Sequence, residues 1–180
     1  SGGPQPSVNL SYSGSGAVYR PQAGAAGTES VYDLLGRVLQ ISNPDQSSSG
    51  MAYSLDAAGQ KLLTVATDPR GNSSTNRNDV FGRTLEVIPP IGPGVVYQYD
   101  SLDRLLRTNY GGAETVITYD LAGRKGSLQD ADMGSWVYKY DALGNLTQQQ
   151  DARGQRICLY YDNLNRLLGK NYRSSGDCPA

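Results

Sequence analysis

The chain has 180 residues, with 16 basic and 17 acidic side chains, a net charge of -1 and a mean hydropathy of -0.48. Balanced charge without a Lys/Arg cluster argues against nucleic-acid binding, and no apolar run reaches the roughly 20 residues that span a bilayer, so we expect no membrane insertion. The sequence has no histidine, which removes the commonest general base and metal ligand. We therefore expect no catalytic residues, no metal and no cofactor.

Residues 1–30 are rich in Gly, Ser, Pro and Ala, and two interpretations of them stay open. Counting back twenty residues from Asp33 reaches "YSGSGAV", where Tyr12, Gly16 and Val18 fall into the register of the repeat described below. This register predicts a degenerate first repeat. The alternative is a flexible Gly/Ser-rich leader.

Residues 31–180 repeat one short phrase. An aspartate recurs at intervals of 20 to 23 residues, a Gly, Asp or Asn stands three positions later, and an arginine usually follows it. Asp at the first position of a turn accepts hydrogen bonds from backbone amides, while Gly, Asn or Asp at the fourth position tolerates a positive φ. We therefore predict hairpin tips, each a type I turn with a G1 bulge. The predicted turn residues are Asp33, Asp56, Asp79, Asp100, Asp120, Asp141 and Asp162, with Gly36, Gly59, Gly82, Asp103, Gly123, Gly144 and Asn165 at the fourth position.

The residues before each tip alternate as in a strand with one buried face, because aromatic residues are separated by polar ones such as Gln98, Thr118 and Lys139. A second turn signal falls about halfway to the next tip, as in "DPRG" (68–71) and "DARG" (151–154). Two turns and two strands of about five or six residues account for the period. The aromatic residues predicted to line one face are Tyr97, Tyr99, Tyr119, Trp136, Tyr138, Tyr140 and Tyr161.

The phrases "YDLLGRV", "YDLAGRK", "YDALGNL" and "YDNLNRL" resemble the YD repeat of the RHS (rearrangement hotspot) family over nearly the whole chain. The resemblance implies a long sheet of hairpins that coils into a hollow shell, as in bacterial RHS effectors, cocoon-forming subunits of insecticidal toxin complexes, and teneurins. We expect an all-β array of about eight antiparallel hairpins forming a curved, twisted sheet or open shell segment. The aspartyl-autoprotease segment of such shells has no match here, and eight repeats are fewer than the family uses to close a shell. We therefore expect either a portion of a shell or a small protein that uses the repeats differently.

The expected function is structural: a secreted or surface-exposed element that acts as a self-assembling extracellular fibre subunit or as a segment of an RHS-type encapsulating shell. Its partners would be copies of itself, paired by strand addition at open edges, or flanking repeats of a larger shell. The alternative is a carbohydrate-binding or adhesion module, since the tyrosine-rich face could stack on a glycan. More often, such tyrosines form the amphipathic inner layer of a sheet, with the hydroxyl reaching water.

Three further predictions concern charge, cysteine and glycosylation. The arginines of the phrase could pair with the tip aspartates into a charge ladder, within or between repeats; they are Arg37, Arg83, Arg104, Arg124 and Arg166. Cys158 and Cys178 could form a disulfide in an oxidising compartment, or they could be two unrelated thiols. Asn9, Asn72 and Asn145 begin Asn-X-Ser/Thr triplets, which are glycosylation acceptors in secreted proteins.

Overall fold

The computed structural model describes the backbone of residues 8–13, 16–21 and 27–178, and the side chains of residues 27–178. All regular structure in these residues is β-strand, and they contain no helix long and apolar enough to cross a membrane. The chain divides into two compact units, residues 1–94 and residues 95–180. The prediction of an all-β array of antiparallel hairpins is confirmed.

The first unit contains strands that follow one another in the sheet in chain order, each antiparallel to the next. Its strands are β1 (Val8–Ser13), β2 (Gly16–Pro21), β3 (Glu29–Tyr32), β4 (Val38–Ser42), β5 (Ser48–Leu55), β6 (Leu62–Thr67), β7 (Ser73–Asn78) and β8 (Thr84–Ile88).

The second unit is built in the same way, and neighbouring strands again pair antiparallel. Its strands are β9 (Val95–Tyr99), β10 (Leu105–Tyr110), β11 (Ala113–Tyr119), β12 (Lys125–Asp130), β13 (Gly134–Tyr140), β14 (Leu146–Gln150), β15 (Arg156–Tyr161) and β16 (Leu167–Arg173).

Alternating burial explains why these segments form strands. In β13, Trp136, Tyr138 and Tyr140 are half-buried while Val137 and Lys139 between them are exposed, as expected where successive side chains point to opposite faces. The sheet has almost no enclosed core, because among the described side chains only Cys158 and Gln148 are buried, at 0% and 2% exposure. Backbone pairing and cross-strand side-chain contacts therefore supply most of the stabilisation.

A register shift accompanies the tips. At Asp120, Thr118 pairs with Ser127 but Tyr119 pairs with Lys125, so one extra residue is accommodated on the returning strand. This is the irregularity that a G1 bulge introduces into a hairpin. The tip at Asp56 differs, because the Asp56 amide donates to the carbonyl of Lys61, five residues on, instead of four.

In residues 1–30 the backbone of β1 and β2 pairs antiparallel, from Val8 opposite Pro21 to Ser13 opposite Gly16. Whether this hairpin is a degenerate YD repeat or part of a leader stays a prediction. The side chain of Asn9, a predicted glycosylation acceptor, lies outside the described residues.

Candidate functional site

Each tip is organised around one aspartate, and Asp120 illustrates the arrangement. Its backbone amide donates to the carbonyl of Arg124 at 2.9 Å, and the Gly123 amide donates to the Asp120 carbonyl at 2.9 Å. One carboxylate oxygen, Oδ1, accepts from the Arg124 amide at 2.9 Å, and Oδ2 accepts from Arg124 Nε at 2.7 Å. The carboxylate thus closes the turn through the backbone and also holds the arginine side chain.

These hydrogen bonds stabilise the ionised carboxylate. The Arg124 backbone amide and side chain lower the pKa of Asp120, and the corresponding groups of Arg104 and Arg166 lower the pKa of Asp100 and Asp162. A hydrogen bond to the charged form of an acid favours that form. The tip aspartates are therefore anions at neutral pH, with their lone pairs already engaged.

The fourth position of the tip adopts the left-handed region of φ. Gly123 lies at φ +80°, and the two non-glycine residues at this position, Asp103 and Asn165, lie at +63° and +60°. Asp and Asn are the side-chain types that tolerate this conformation best. The structure thus places both residues in the conformation that the sequence predicted for this position.

The arginines of the phrase form ion pairs within their own repeats. The Nε to Oδ2 distances are between 2.6 and 2.7 Å for Arg37 with Asp33, Arg83 with Asp79, Arg104 with Asp100, Arg124 with Asp120 and Arg166 with Asp162. Three of these guanidinium groups also reach an aromatic ring of the next repeat. Arg37 lies 4.2 Å from the ring centroid of Tyr53, Arg104 lies 4.8 Å from that of Tyr119, and Arg124 lies 4.6 Å from that of Tyr140.

This inter-repeat stacking is a feature that sequence reasoning missed. Each contact is a cation–π interaction, in which a guanidinium lies over the negative face of an aromatic ring. The signal was present in the sequence, because Tyr119 and Tyr140 directly precede the aspartate of the tip that follows Arg104 and Arg124. The ladder is therefore an ion pair within each repeat and a stack between repeats.

The tip tyrosines are fixed by their hydroxyl groups as well as by their rings. The hydroxyls of Tyr119, Tyr140 and Tyr161 donate to the carbonyls of Leu105, Lys125 and Leu146 at 2.9, 3.0 and 3.1 Å. Burial raises the pKa of Tyr140, so its phenol stays protonated and remains a donor at neutral pH. These three rings are thus positioned by the backbone of the preceding strand.

The other aromatic residues of the predicted face lie in β9 and β13. Tyr97 and Tyr99 are half-buried in β9, and Trp136 Nε1 donates to the Met133 carbonyl at 3.3 Å. Tyr138 lies under the ammonium of Lys125, whose nitrogen is 5.4 Å from the ring centroid. The ring of Tyr138 therefore contributes a further cation–π contact to this face.

A row of exposed apolar side chains lies on the tips, and sequence reasoning did not single it out. In the second unit Leu102, Leu143 and Leu164 are 70–74% exposed and Leu121 is fully exposed. In the first unit the corresponding side chains are 75–79% exposed; they are Leu34, Leu35, Val80 and Phe81. The signal was an apolar residue inside a turn, where polar residues are the rule. We call these side chains the tip row.

The structure joins Cys158 and Cys178 by a disulfide, with their Cα atoms 5.4 Å apart. The bond holds residues 174–178, here called the strap, against the face of β14 and β15. Within the strap, the amide of Cys178 donates to Gln148 Oε1 at 3.3 Å, and Asp177 pairs with Lys139 at 3.2 Å. The strap therefore covers the two buried side chains of the described chain, Cys158 and Gln148.

The two predicted glycosylation acceptors within the described side chains both donate hydrogen bonds. Asn72 Nδ2 lies 2.9 Å from Asp68 Oδ2, and Asn145 Nδ2 lies 2.8 Å from Asp141 Oδ2 and 3.0 Å from Asn165 Oδ1. Glycosylation at either nitrogen would replace one donated proton. Across the described side chains, no group of three or more His, Cys, Asp or Glu could hold a metal ion.

Comparison with known proteins identifies relatives of the repeats. No family model matches the chain. The toxin protein Tse5 of Pseudomonas aeruginosa is 29% identical over 140 residues, which cover 76% of the chain and 10% of Tse5. This similarity supports the assignment of the repeats to the RHS/YD-repeat family. It spans about a tenth of the length of the relatives that it matches.

Solved structures of toxin complexes share the fold of this chain. The TcdB2-TccC3-Cdc42 crystal structure is 17% identical, with a TM-score of 0.65 over 81% of the chain and 8% of its own. The Tc holotoxin pore of Photorhabdus luminescens is 16% identical, with a TM-score of 0.65 over 84% of the chain and 9% of its own. At these identities the likeness shows the fold alone.

Proposed function

We propose that the chain is a non-catalytic, structural segment of an RHS-type encapsulating shell. The observation that carries the proposal is the tip row, which places apolar side chains in water at the turns of both units. The fold shared with the TcdB2-TccC3 assemblies supports the same role.

The tip row is the surface through which shell neighbours would make contact. Burying a leucine side chain stabilises by roughly 1.5–3 kcal/mol, so a row of leucines left in water is a surface suited to being covered. Leu102, Leu143 and Leu164 each lie two positions after the aspartate of a tip. These tips connect β9 to β10, β13 to β14 and β15 to β16, so the three leucines lie at the same end of the strands of the second unit. The occupant that we propose is an adjacent course of flanking repeats in the same shell.

The chemistry of the tip aspartates supports a non-catalytic role. A general acid needs a carboxyl group whose pKa is raised towards the working pH. The pKa of Asp100, Asp120 and Asp162 is lowered instead, by hydrogen bonds from the arginines of the same turns. These aspartates act as turn-closing acceptors.

The disulfide supports secretion or surface exposure. Disulfides persist in oxidising compartments and are rare where thiols are kept reduced. Since the bond between Cys158 and Cys178 holds the strap over the buried side chains of the second unit, folding in an oxidising compartment fits this chain.

Hydroxyl-radical footprinting tests the shell role by comparing the recombinant chain with the protein isolated from its natural source. We expect Leu143 and Leu164 to be labelled in the recombinant chain and protected several-fold in the natural assembly. Val137, which is 42% exposed on a strand face, is the matched control and should be labelled equally in both samples. Equal labelling of the tip leucines in both samples would show that nothing covers the tip row and would refute the shell segment.

Self-assembly into a fibre is the second candidate, and the edge of β16 favours it. Strand β16 pairs with β15 and with no other of the described strands, so its outer backbone groups could receive a strand of another copy. Sedimentation velocity over a concentration series distinguishes the two candidates. Species that grow without limit favour a fibre, while a single small species at all concentrations removes it.

Glycan binding by the tyrosine-rich face is the binding-class alternative. The hydroxyls of Tyr119, Tyr140 and Tyr161 already donate hydrogen bonds to backbone carbonyls. A sugar would therefore contact the rings of these tyrosines. Saturable binding on a glycan array, lost on replacing Tyr140 by alanine, is the result that this alternative requires.

A further inference from the structure

One tip of the second unit, at Asp141, lacks the arginine of the phrase. At the preceding tips the arginine connects two repeats: Arg124 bonds Asp120 through Nε, lies over the ring of Tyr140, and donates from Nη1 to the Asp141 carbonyl at 3.0 Å. Arg104 lies over Tyr119 in the same way. A guanidinium between two tips, stacked on the tyrosine of the second, is therefore the regular arrangement.

At the Asp141 tip the position of the arginine is taken by Asn145. Its Nδ2 donates to Asp141 Oδ2 at 2.8 Å, which replaces the arginine Nε, and to Asn165 Oδ1 of the next tip at 3.0 Å. The amide bridges the two tips but brings no cation to the ring of Tyr161. Tyr161 nevertheless keeps the geometry of a receiving tyrosine, because its hydroxyl donates to the Leu146 carbonyl at 3.1 Å just as Tyr140 donates to the Lys125 carbonyl. The ring that normally receives a guanidinium is thus in place without one.

No cation in the described part of the chain takes the place of the missing guanidinium over Tyr161. The cations that lie over aromatic rings there are assigned to other rings, and Tyr161 has none. The carbonyl of Asp162 accepts from the Asn165 amide at 2.9 Å within its own turn, but from no side chain of the described residues. The carbonyl of Asp141, at the equivalent place, accepts from Arg124 as well.

A cavity of about 660 Å³ opens at this place. It lies between the tips and the strap, and its lining residues include Tyr161, Asn145, Asn165 and, from the strap, Asp177. Its charged lining residues are three aspartates and one lysine. Asp177 pairs with Lys139 and Asp162 pairs with Arg166, so the carboxylate of Asp141 gives the site a net negative charge, which favours a cation. The disulfide that holds the strap also holds this wall of the cavity.

A missing arginine alone does not create a cation site, as the other tip without an arginine shows. At the Asp56 tip the position is taken by Gln60, but the residue before the next tip aspartate, Asp79, is Asn78 instead of tyrosine. No aromatic ring stands at that place to receive a cation. Among the described tips, a vacant guanidinium position and a receiving tyrosine coincide at Asn145 and Tyr161.

We propose that this cavity is a binding site for a guanidinium cation, supplied by an arginine of another polypeptide or by a small guanidinium compound. The planar group stacks on Tyr161 and donates to the Asp162 carbonyl. A second acceptor is Asn165 Oδ1, which already accepts from Asn145 Nδ2 and has two lone pairs. A guanidinium suits the site better than an ammonium, because it is planar, weakly hydrated and donates through a rigid fork. The site needs only the second unit of this chain, so it does not depend on the proposed shell role.

Titration of the 15N-labelled chain with capped arginine, N-acetyl-arginine methylamide, followed by NMR, tests the proposal. We expect saturable shifts at Tyr161, Asp162 and Asn165 with one ligand per chain, and at least about tenfold weaker binding of the matching capped lysine. An arginine-containing peptide that binds more tightly than capped arginine identifies a polypeptide as the source; equal affinity identifies a small compound.

Two variants make the test specific. Asn145→Arg supplies the missing guanidinium internally, so it should fill the site and weaken binding of capped arginine at least about tenfold while the chain stays folded. Asn145→Gln adds length without charge and should bind as the wild type does. Equal binding of capped arginine and capped lysine, or unchanged binding by Asn145→Arg, would overturn the proposal. So would an oligosaccharide that binds at these residues when capped arginine does not.

Discussion

Opening the disulfide between Cys158 and Cys178 should release the strap and destabilise the second unit. The variant Cys178→Ser removes the bond at its half-buried partner and leaves the buried Cys158 thiol in place, where a free cysteine packs as a small apolar residue. The change therefore tests the cross-link itself, because the packing around Cys158 is kept.

The size of the effect follows from the loop that the bond closes. The two cysteines are 20 residues apart in the sequence, and a cross-link over a loop of this length restricts the unfolded chain by about 3 kcal/mol at 25 °C. With a urea m-value of about 2 kcal/mol/M, the loss lowers the unfolding midpoint by about 1.5 M.

Urea titration followed by the fluorescence of Trp136 measures this change. Trp136 is the single tryptophan of the chain and lies in β13 of the second unit, so it reports on the unit that the strap covers. The oxidised wild type should unfold at the higher midpoint, and the reduced wild type and Cys178→Ser should coincide at the lower one.

Lys139→Ala is the matched control for the non-covalent contacts of the strap. It removes the ion pair with Asp177, whose side chains are 52% and 71% exposed, and exposed pairs contribute little, so the midpoint should move by less than about 0.5 M. If the reduced wild type unfolds at the same midpoint as the oxidised form, the disulfide does not stabilise the second unit. The strap would then be held by its polar contacts.

Three further predictions concern the tips. Because hydrogen bonds from Arg124 lower the folded pKa of Asp120, its stabilisation is fully present above the unfolded pKa of about 3.9 and is lost as the pH falls through the folded value. Asp120→Asn should therefore flatten the acid limb of the urea midpoint measured from pH 7 to pH 2, and an unchanged limb would contradict this. Gly82→Ala should cost about 1 kcal/mol or more in chemical denaturation, because Gly82 lies at φ +85°. Gly50→Ala is the control, at a strand position where the new Cβ would lie 4.0 Å from its nearest atom. It should lower the free energy of unfolding by less than Gly82→Ala does, and an equal loss in both variants would exclude backbone conformation as the cause.

The sequence was sufficient to predict the tips and the strands, because both are determined by local chemistry. An aspartate followed by a residue that tolerates positive φ, as Asp162 is by Asn165, specifies the turn within five residues. The alternation of Trp136, Tyr138 and Tyr140 with polar neighbours specifies the face of a strand in the same local way. Repetition of both signals at a nearly constant period was enough to predict the array.

The features that were missed depend on contacts between segments that are distant in the sequence. Arg124 contacts Tyr140 only because the turn between β12 and β13 reverses the chain and brings the end of β13 back beside the start of β12. The strap reaches Gln148 only through a fold-back of residues 174–178, which contain no periodic signal. Leu143 is part of the repeated phrase, so its apolar character was visible in the sequence. It was missed because an exposed apolar residue at a turn is explained only by a neighbouring molecule, which the sequence of one chain does not reveal.

Cryo-electron microscopy of the protein isolated from its natural source distinguishes a shell segment from a fibre. We expect a closed, hollow assembly in which the repeats of this chain lie in the wall and neighbouring repeats cover Leu143 and Leu164. Filaments with a regular subunit rise, joined by strand addition at β16 and with the tip row in water, would contradict the shell and establish the fibre.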